Sequence, residues 1–167
     1  MAIEILKPNQ ARSACQELAA LVTRHTDDLG NGAHKTAIPQ LEFMRESVVS
    51  TAMCGVAEPI LAIVVQGKKE ALLGEETYQY GAAQYLVVSV DLPLSGFVLE
   101  ATPEQPYLGF KLKLDPAQLC DIIAQIRPSS SRKENSVRGL FVSNADTPLM
   151  DCAIRLTELL DTPQDIL

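Results

Sequence analysis

Six side chains between positions 54 and 89 carry the thiol, carboxylate, amide and hydroxyl groups that a small-molecule pocket uses: Cys54, Glu58, Gln66, Tyr78, Tyr85 and Ser89. Tyr80 belongs with them by type and position. A ligand pocket is an apolar cleft with a few aimed polar groups, and these residues stand in otherwise apolar segments. Each has a plainer reading beside it. Tyrosines pack in a core with their hydroxyls at the rim. Cys54, next to Gly55, is either a thiol that senses electrophiles or an inert one.

Catalytic chemistry finds no foothold. There is no nucleophile elbow, no phosphate-cradling glycine loop, no dinucleotide fingerprint and no His-Glu-x-x-His pair. Gly67-Lys68 follows no glycine run, and Gln66-Gly-Lys-Lys69 reads as a turn. Both histidines, His25 and His34, precede the predicted strands. His25 falls on the apolar stripe of a helix and His34 in a loop, and neither has a partner at ligand spacing. A barrel that held a metal would carry inward histidines on its strands. The expectation is no catalytic residue, no metal and no cofactor.

The cysteines at 15, 54, 120 and 152 form no CxxC pair and read as free thiols of a reducing compartment. Apolar runs such as Ile60–Val65 are too short to span a bilayer, and the N-terminus lacks the pattern of an export signal. A cytoplasmic protein without a membrane partner is expected. A net charge of −7 argues against this chain gripping a nucleic-acid backbone by itself.

The elements that must position these groups follow from periodicity. Asn9 caps a predicted helix over Gln10–Leu29, with Ala14, Cys15, Leu18, Leu21, Val22, His25 and Leu29 on one face. From Thr36 the pattern turns to β. Leu41 and Phe43 open a period of two, and Ile60–Val65 is a buried strand. Gly74-Glu75 turns a hairpin between Glu70–Leu73 and Glu76–Tyr80. Tyr85-Leu-Val-Val-Ser-Val-Asp-Leu-Pro93 reads as one strand covered on both faces and closed by its proline. Leu94–Ala101 follows with Gly96 as a bulge, and Tyr107–Leu114 alternates like a half-exposed strand near a sheet edge.

Two helices close the chain. Asp115-Pro116 starts the first, with Leu119, Ile122, Ile123 and Ile126 on its stripe and Arg127-Pro128 as its stop. Ser129–Ser136 reads as a solvated linker, followed by a β-like piece at Val137–Val142. Thr147-Pro148 starts the last helix, and Leu149, Cys152, Ala153, Leu156, Leu159 and Leu160 form its stripe. That stripe either docks on the barrel or makes a symmetric dimer contact, with Leu149, Cys152, Ala153, Leu156 and Leu160 as the interface. Many short strands with no helices between them give a mainly β chain with flanking helices (α+β), an antiparallel barrel or sandwich.

Several strings together resemble the N-terminal domain of AraC-type transcription regulators. They are Glu58-Pro-Ile-Leu-Ala-Ile-Val-Val-Gln-Gly-Lys-Lys69, Leu73-Gly74, Tyr80-Gly81, Tyr85–Pro93, Pro106-Tyr-Leu108 and the helix opened by Asp115-Pro116. The resemblance runs over residues 36–160, and the first helix fits it. It implies a cupin-like β-barrel that binds a small-molecule effector, followed by helices that make a homodimer. In whole members a C-terminal helix-turn-helix domain binds DNA, and that domain is absent from this chain. The implied division is an N-terminal helix and lead-in (1–35), a barrel with its closing helix (36–127), and a linker, short strand and dimerisation helix (128–167). A cupin-like enzyme, metal-dependent or an isomerase, and a purely structural dimerisation module stand as alternatives.

Overall fold

A computed structural model describes residues 7–51, 53–125 and 139–166. The expected linker Ser129–Ser136, the helix stop at Arg127-Pro128 and the stripe position Ile126 lie outside the described residues.

Helix α1 spans Lys7–Thr26, so Asn9 lies within it and Leu29 beyond it. Proline is tolerated in a first turn, where the N–H groups have no intrahelical partner, and Pro8 sits there. At the other end the Thr26 hydroxyl donates to the Val22 carbonyl at 2.8 Å. Gly30, at φ +74°, then takes the left-handed conformation that turns the chain away. Ala14, Cys15, Leu18 and Val22 are buried as one stripe, while Leu29 is exposed.

Among the described residues ten strands form two antiparallel sheets. Six lie side by side in one sheet: β1 (Gly32–Lys35), β2 (Leu41–Glu46), β9 (Tyr107–Lys113), β4 (Ile60–Gln66), β7 (Gln84–Val88) and β10 (Leu140–Asn144). Four make the other: β3 (Met53–Ala57), β8 (Leu92–Glu100), β5 (Lys68–Leu73) and β6 (Glu76–Gly81). Together they form a cupin-like barrel flanked by helices. Period-two alternation divides the six-stranded sheet between two cores. Leu41, Phe43, Ile63, Leu108 and Phe110 face outward to α1. Val64, Leu86, Val88, Tyr107 and Leu140 face inward to the second sheet.

Several expectations are revised by the register. Tyr85–Pro93 is not one strand: β7 ends at Val88, Ser89-Val90-Asp91 is exposed, and β8 begins at Leu92 in the other sheet. The turn carries no glycine, and the apolar residues on both sides hid it. Pro93 does not close the segment. It is the second residue of β8 and pairs only with Val56 of β3, so its missing N–H breaks no ladder. The bulge in β8 is at Leu99, opposite Lys68-Lys69, whereas Gly96 pairs regularly with Met53 and Ala71. β9 is no edge strand, because β2 and β4 flank it. Of its alternate positions, Gly109 and Lys111 line the space between the sheets, while Lys113 at the strand's end is exposed. His34 lies in β1, an edge strand, and not in a loop.

Lys68 and Lys69 also belong to a strand rather than a turn. Gly67 alone joins β4 to β5 and carries the chain from one sheet to the other, at φ +84°. A side chain there would start 2.5 Å from the Glu100 carbonyl oxygen. The Gly74-Glu75 hairpin forms as expected, with Leu73 opposite Glu76.

Helix α2 spans Pro116–Gln125, and Asp115 Oδ1 accepts from the Ala117 N–H at 2.8 Å. Its stripe is not buried: Leu119 is half-buried and Ile122 exposed. Helix α3 spans Thr147–Glu158, capped by Asp146 rather than Thr147, since Asp146 Oδ1 accepts from the Leu149 N–H at 3.0 Å. Met150, Ala153, Ile154 and Thr157 are its buried residues. A short turn at Leu159–Asp161 follows, and there Asp161 pairs with Arg24 and stands 3.5 Å from His25 Nε2 of α1.

Candidate functional site

A cavity of about 370 Å³ lies between the two sheets. Met44, Ile60, Ala62, Leu86, Leu94 and Val98 supply apolar wall. The cavity reaches the surface along β3, whose exposed residues Met53 to Val56 also line it. Two strand glycines help make the space. A Cβ on Gly96 would meet Lys69 Cε at 3.3 Å, and one on Gly109 would meet the Tyr107 hydroxyl at 2.9 Å. Both glycines therefore leave room over which an inward side chain lies.

Polar groups reach the wall from strands of both sheets. Lys69 of β5 projects inward with Ala71, and its Nζ stands 5.9 Å from the centre of the Tyr107 ring. Tyr80 lies opposite Lys69 on β6, and Tyr107 lies opposite Glu46 between β9 and β2. Both tyrosines are buried, and no hydrogen bond joins either hydroxyl to another described residue. Among the described residues no carboxylate is within ion-pair distance of Lys69 Nζ.

Burial pushes the Lys69 ammonium below its ordinary pKa, and repulsion from Lys111 adds to this while Glu46 opposes it. Burial likewise raises both phenols, and Tyr107 is raised further by Tyr80 and Glu46. Both therefore stay protonated donors at neutral pH. Glu42 behaves in the opposite way. Burial alone would raise its carboxyl, but the charge of Lys111 and hydrogen bonds from Lys113 and Lys111 outweigh that and hold it low. Its two oxygens face Lys111 at 3.5 Å and Lys113 at 3.3 Å.

Of the six residues singled out at first, the cavity wall includes Cys54, whose Sγ is 3.1 Å from Ser95 Oγ. The other five stand elsewhere. Glu58 is exposed in the β3–β4 connection. Gln66 donates from Nε2 to the Pro106 carbonyl at 2.8 Å and so ties β4 to the loop before β9. Tyr78 donates to Glu76 Oε2 at 2.6 Å on the outermost strand of its sheet. Tyr85 faces the outer core, edge-on to Phe141 at 6.0 Å. Ser89 is exposed, its N–H and hydroxyl both donating to the Gly139 carbonyl. Of the interface stripe, Ala153 is buried against α1, Leu149, Leu156 and Leu160 are half-buried beside it, and Cys152 is exposed. Lys69, Glu46 and Tyr107 were missed. The strand glycines at 96 and 109 were the available sign of inward crowding.

Among the described residues no group of three His, Cys, Asp or Glu side chains is placed to hold a metal ion, and no helix is long and apolar enough to cross a membrane. The arrangement offers hydrogen-bond donors inside an apolar cavity, which suits binding.

Known proteins supply a comparison for this geometry. The family model of the AraC-type transcriptional regulator N-terminus matches residues 37–167. No curated protein matches the sequence. Among solved structures, unsaturated fatty acid bound wild-type ToxT from Vibrio cholerae strain SCE256 superposes with a TM-score of 0.54 at 8% identity, over 81% of this chain and 49% of its own. ToxT from Vibrio cholerae O395 gives 0.51 at 10% identity, over 74% and 45%. The likeness is one of fold, and this chain spans about half the length of those proteins.

Proposed function

The chain belongs to the family of AraC-type transcriptional regulator N-terminal domains, and from that premise we propose that its barrel cavity binds a small-molecule effector and its terminal helices relay the binding event. The cavity itself carries this reading. A purely structural module would have a filled barrel, and about 370 Å³ of lined space falls within the range of ligand pockets. The similar fold of ToxT has been solved with an unsaturated fatty acid bound, which supports ligand binding by such a barrel.

The relay follows from the shared sheet. The strands whose inward faces line the cavity bear on their outward faces the core that holds α1 and α3. An effector that binds one arrangement of these layers better than another shifts the balance by that difference in affinity and no more. On this reading residues 36–127 are the sensing unit and 128–167 the coupling and homodimerisation unit. A helix-turn-helix domain of the whole regulator would bind DNA, in the cytoplasm. The role is regulatory, not enzymatic.

The test is a metabolite screen by thermal shift on the domain, with promoter activity of the whole regulator as the second readout. A hit should raise the melting temperature and change transcription. If no metabolite stabilises the barrel and promoter output ignores them all, the sensing role is lost.

A further inference from the structure

We propose that the cavity selects an organic monoanion, a molecule with an apolar body and one carboxylate or similar oxyanion held by Lys69, Tyr80 and Tyr107. This deepens the effector reading and rests on it.

The charge pattern carries the argument. Glu46, Lys69 and Lys111 are the charged residues on the wall. Lys111 is already committed to Glu42, 3.5 Å away. Lys69 has no ion pair among the described residues: its ammonium lies over the face of Tyr107, and Glu46 acts on it only from beyond ion-pair distance. A buried charge without a counterion is costly, so a site that keeps one is complementary to a charge that arrives with the ligand.

The hydrogen-bonding pattern agrees. The Tyr80 and Tyr107 hydroxyls are donors without acceptors among the described residues, and with Lys69 they present donors to one region of the cavity. An oxyanion accepts several such bonds, whereas a neutral polyol would need acceptors as well. Glu46 on the same wall offsets part of the positive field and so favours a ligand of low negative charge. Apart from Ser50, Cys54 and Ser95 the rest of the lining is apolar and matches a hydrocarbon or aromatic body.

Anilinonaphthalene sulfonate and the neutral N-phenylnaphthylamine share a ring system and differ by the anionic group. Their fluorescence can be read without protein tryptophan, since the chain has none. The native domain should bind the sulfonate more tightly. Lys69→Met should weaken the sulfonate by about tenfold to a hundredfold, as losing a charged hydrogen bond does, and leave the neutral probe unmoved. Ala62→Phe, or Ala71→Phe should the first not fold, should fill the cavity and abolish binding of both. If Lys69→Met leaves sulfonate affinity unchanged, or if the neutral probe binds the native domain better, the monoanion class is wrong while the cavity remains a ligand site. If neither probe binds, or if filling the cavity changes nothing, the effector reading falls with it.

Discussion

Lys69 is held inside the barrel with no described carboxylate at ion-pair distance, and Glu46 offsets its charge only in part. Such a residue costs stability that binding recovers, so Lys69→Met should stabilise the ligand-free domain by about 1–2 kcal/mol, as removing a functional strain commonly does. Urea denaturation decides it: a domain less stable than the native one would mean that Lys69 serves the fold. Glu42 predicts the opposite kind of effect. Its folded pKa is lowered, so its contribution is complete above the ordinary carboxyl range and is lost as pH falls through the folded value. Glu42→Gln should therefore lower stability at neutral pH and flatten its decline on acidification. Denaturation at several pH values would reveal parallel curves if the pair with Lys111 and Lys113 contributed nothing. Neither residue stood out in the sequence. Lys69 followed Gly67-Lys68 and looked like part of a turn, and Glu42 looked like the solvent side of an alternating strand. Lys69 is turned inward because its face of β5 lies toward the six-stranded sheet, and Glu42 is held by Lys111 and Lys113 of the neighbouring strand.

At the level of elements, the strings of β-branched residues and the Asp-Pro helix start made the fold class legible, and the helices and most strands formed close to where periodicity placed them. The breaks between sheets were harder to see. Ser89-Val90-Asp91 crosses from β7 to β8 without a glycine, while Gly67 makes the β4–β5 crossing in one residue. These two points decide which face of each strand meets the cavity. Tyr80 thus points inward and Tyr85 outward, a distinction no single strand reveals. Gly67→Ala should cost at least about 2 kcal/mol, because its backbone conformation is strained for any L residue and its Cβ would strike the Glu100 carbonyl. A substitution that left the melting temperature unchanged would show that the crossing relaxes by another path.

The whole molecule consists of an inner core around the cavity and an outer core under α1 and α3, with one six-stranded sheet between them. In the dimer proposal the exposed and half-buried side of α3 meets its copy. Leu156→Asp should then yield a monomer by light scattering with the β circular dichroism retained, and a persistent dimer would place the contact elsewhere. Leu156 is half-buried against the outer core, so Cys152→Asp, at an exposed position, is the companion variant. The candidate site was the least legible part of the sequence, because a cavity is a property of two sheets and their separation rather than of any run of residues.

Cys15 gives this architecture a clock. Its thiol donates to the Val65 carbonyl at 3.3 Å, at the bulge where β4 breaks step with β9, and it is buried. Cys54, Cys120 and Cys152 are exposed. An alkylating reagent should consume the three exposed thiols first and the buried Cys15 last, as α1 lifts from the sheet. The slow phase of labelling measures the free energy of that lifting. Measured with the cavity empty and then filled, its change in rate gives the coupling between the barrel's interior and its outermost helix, read in seconds from a mass spectrum.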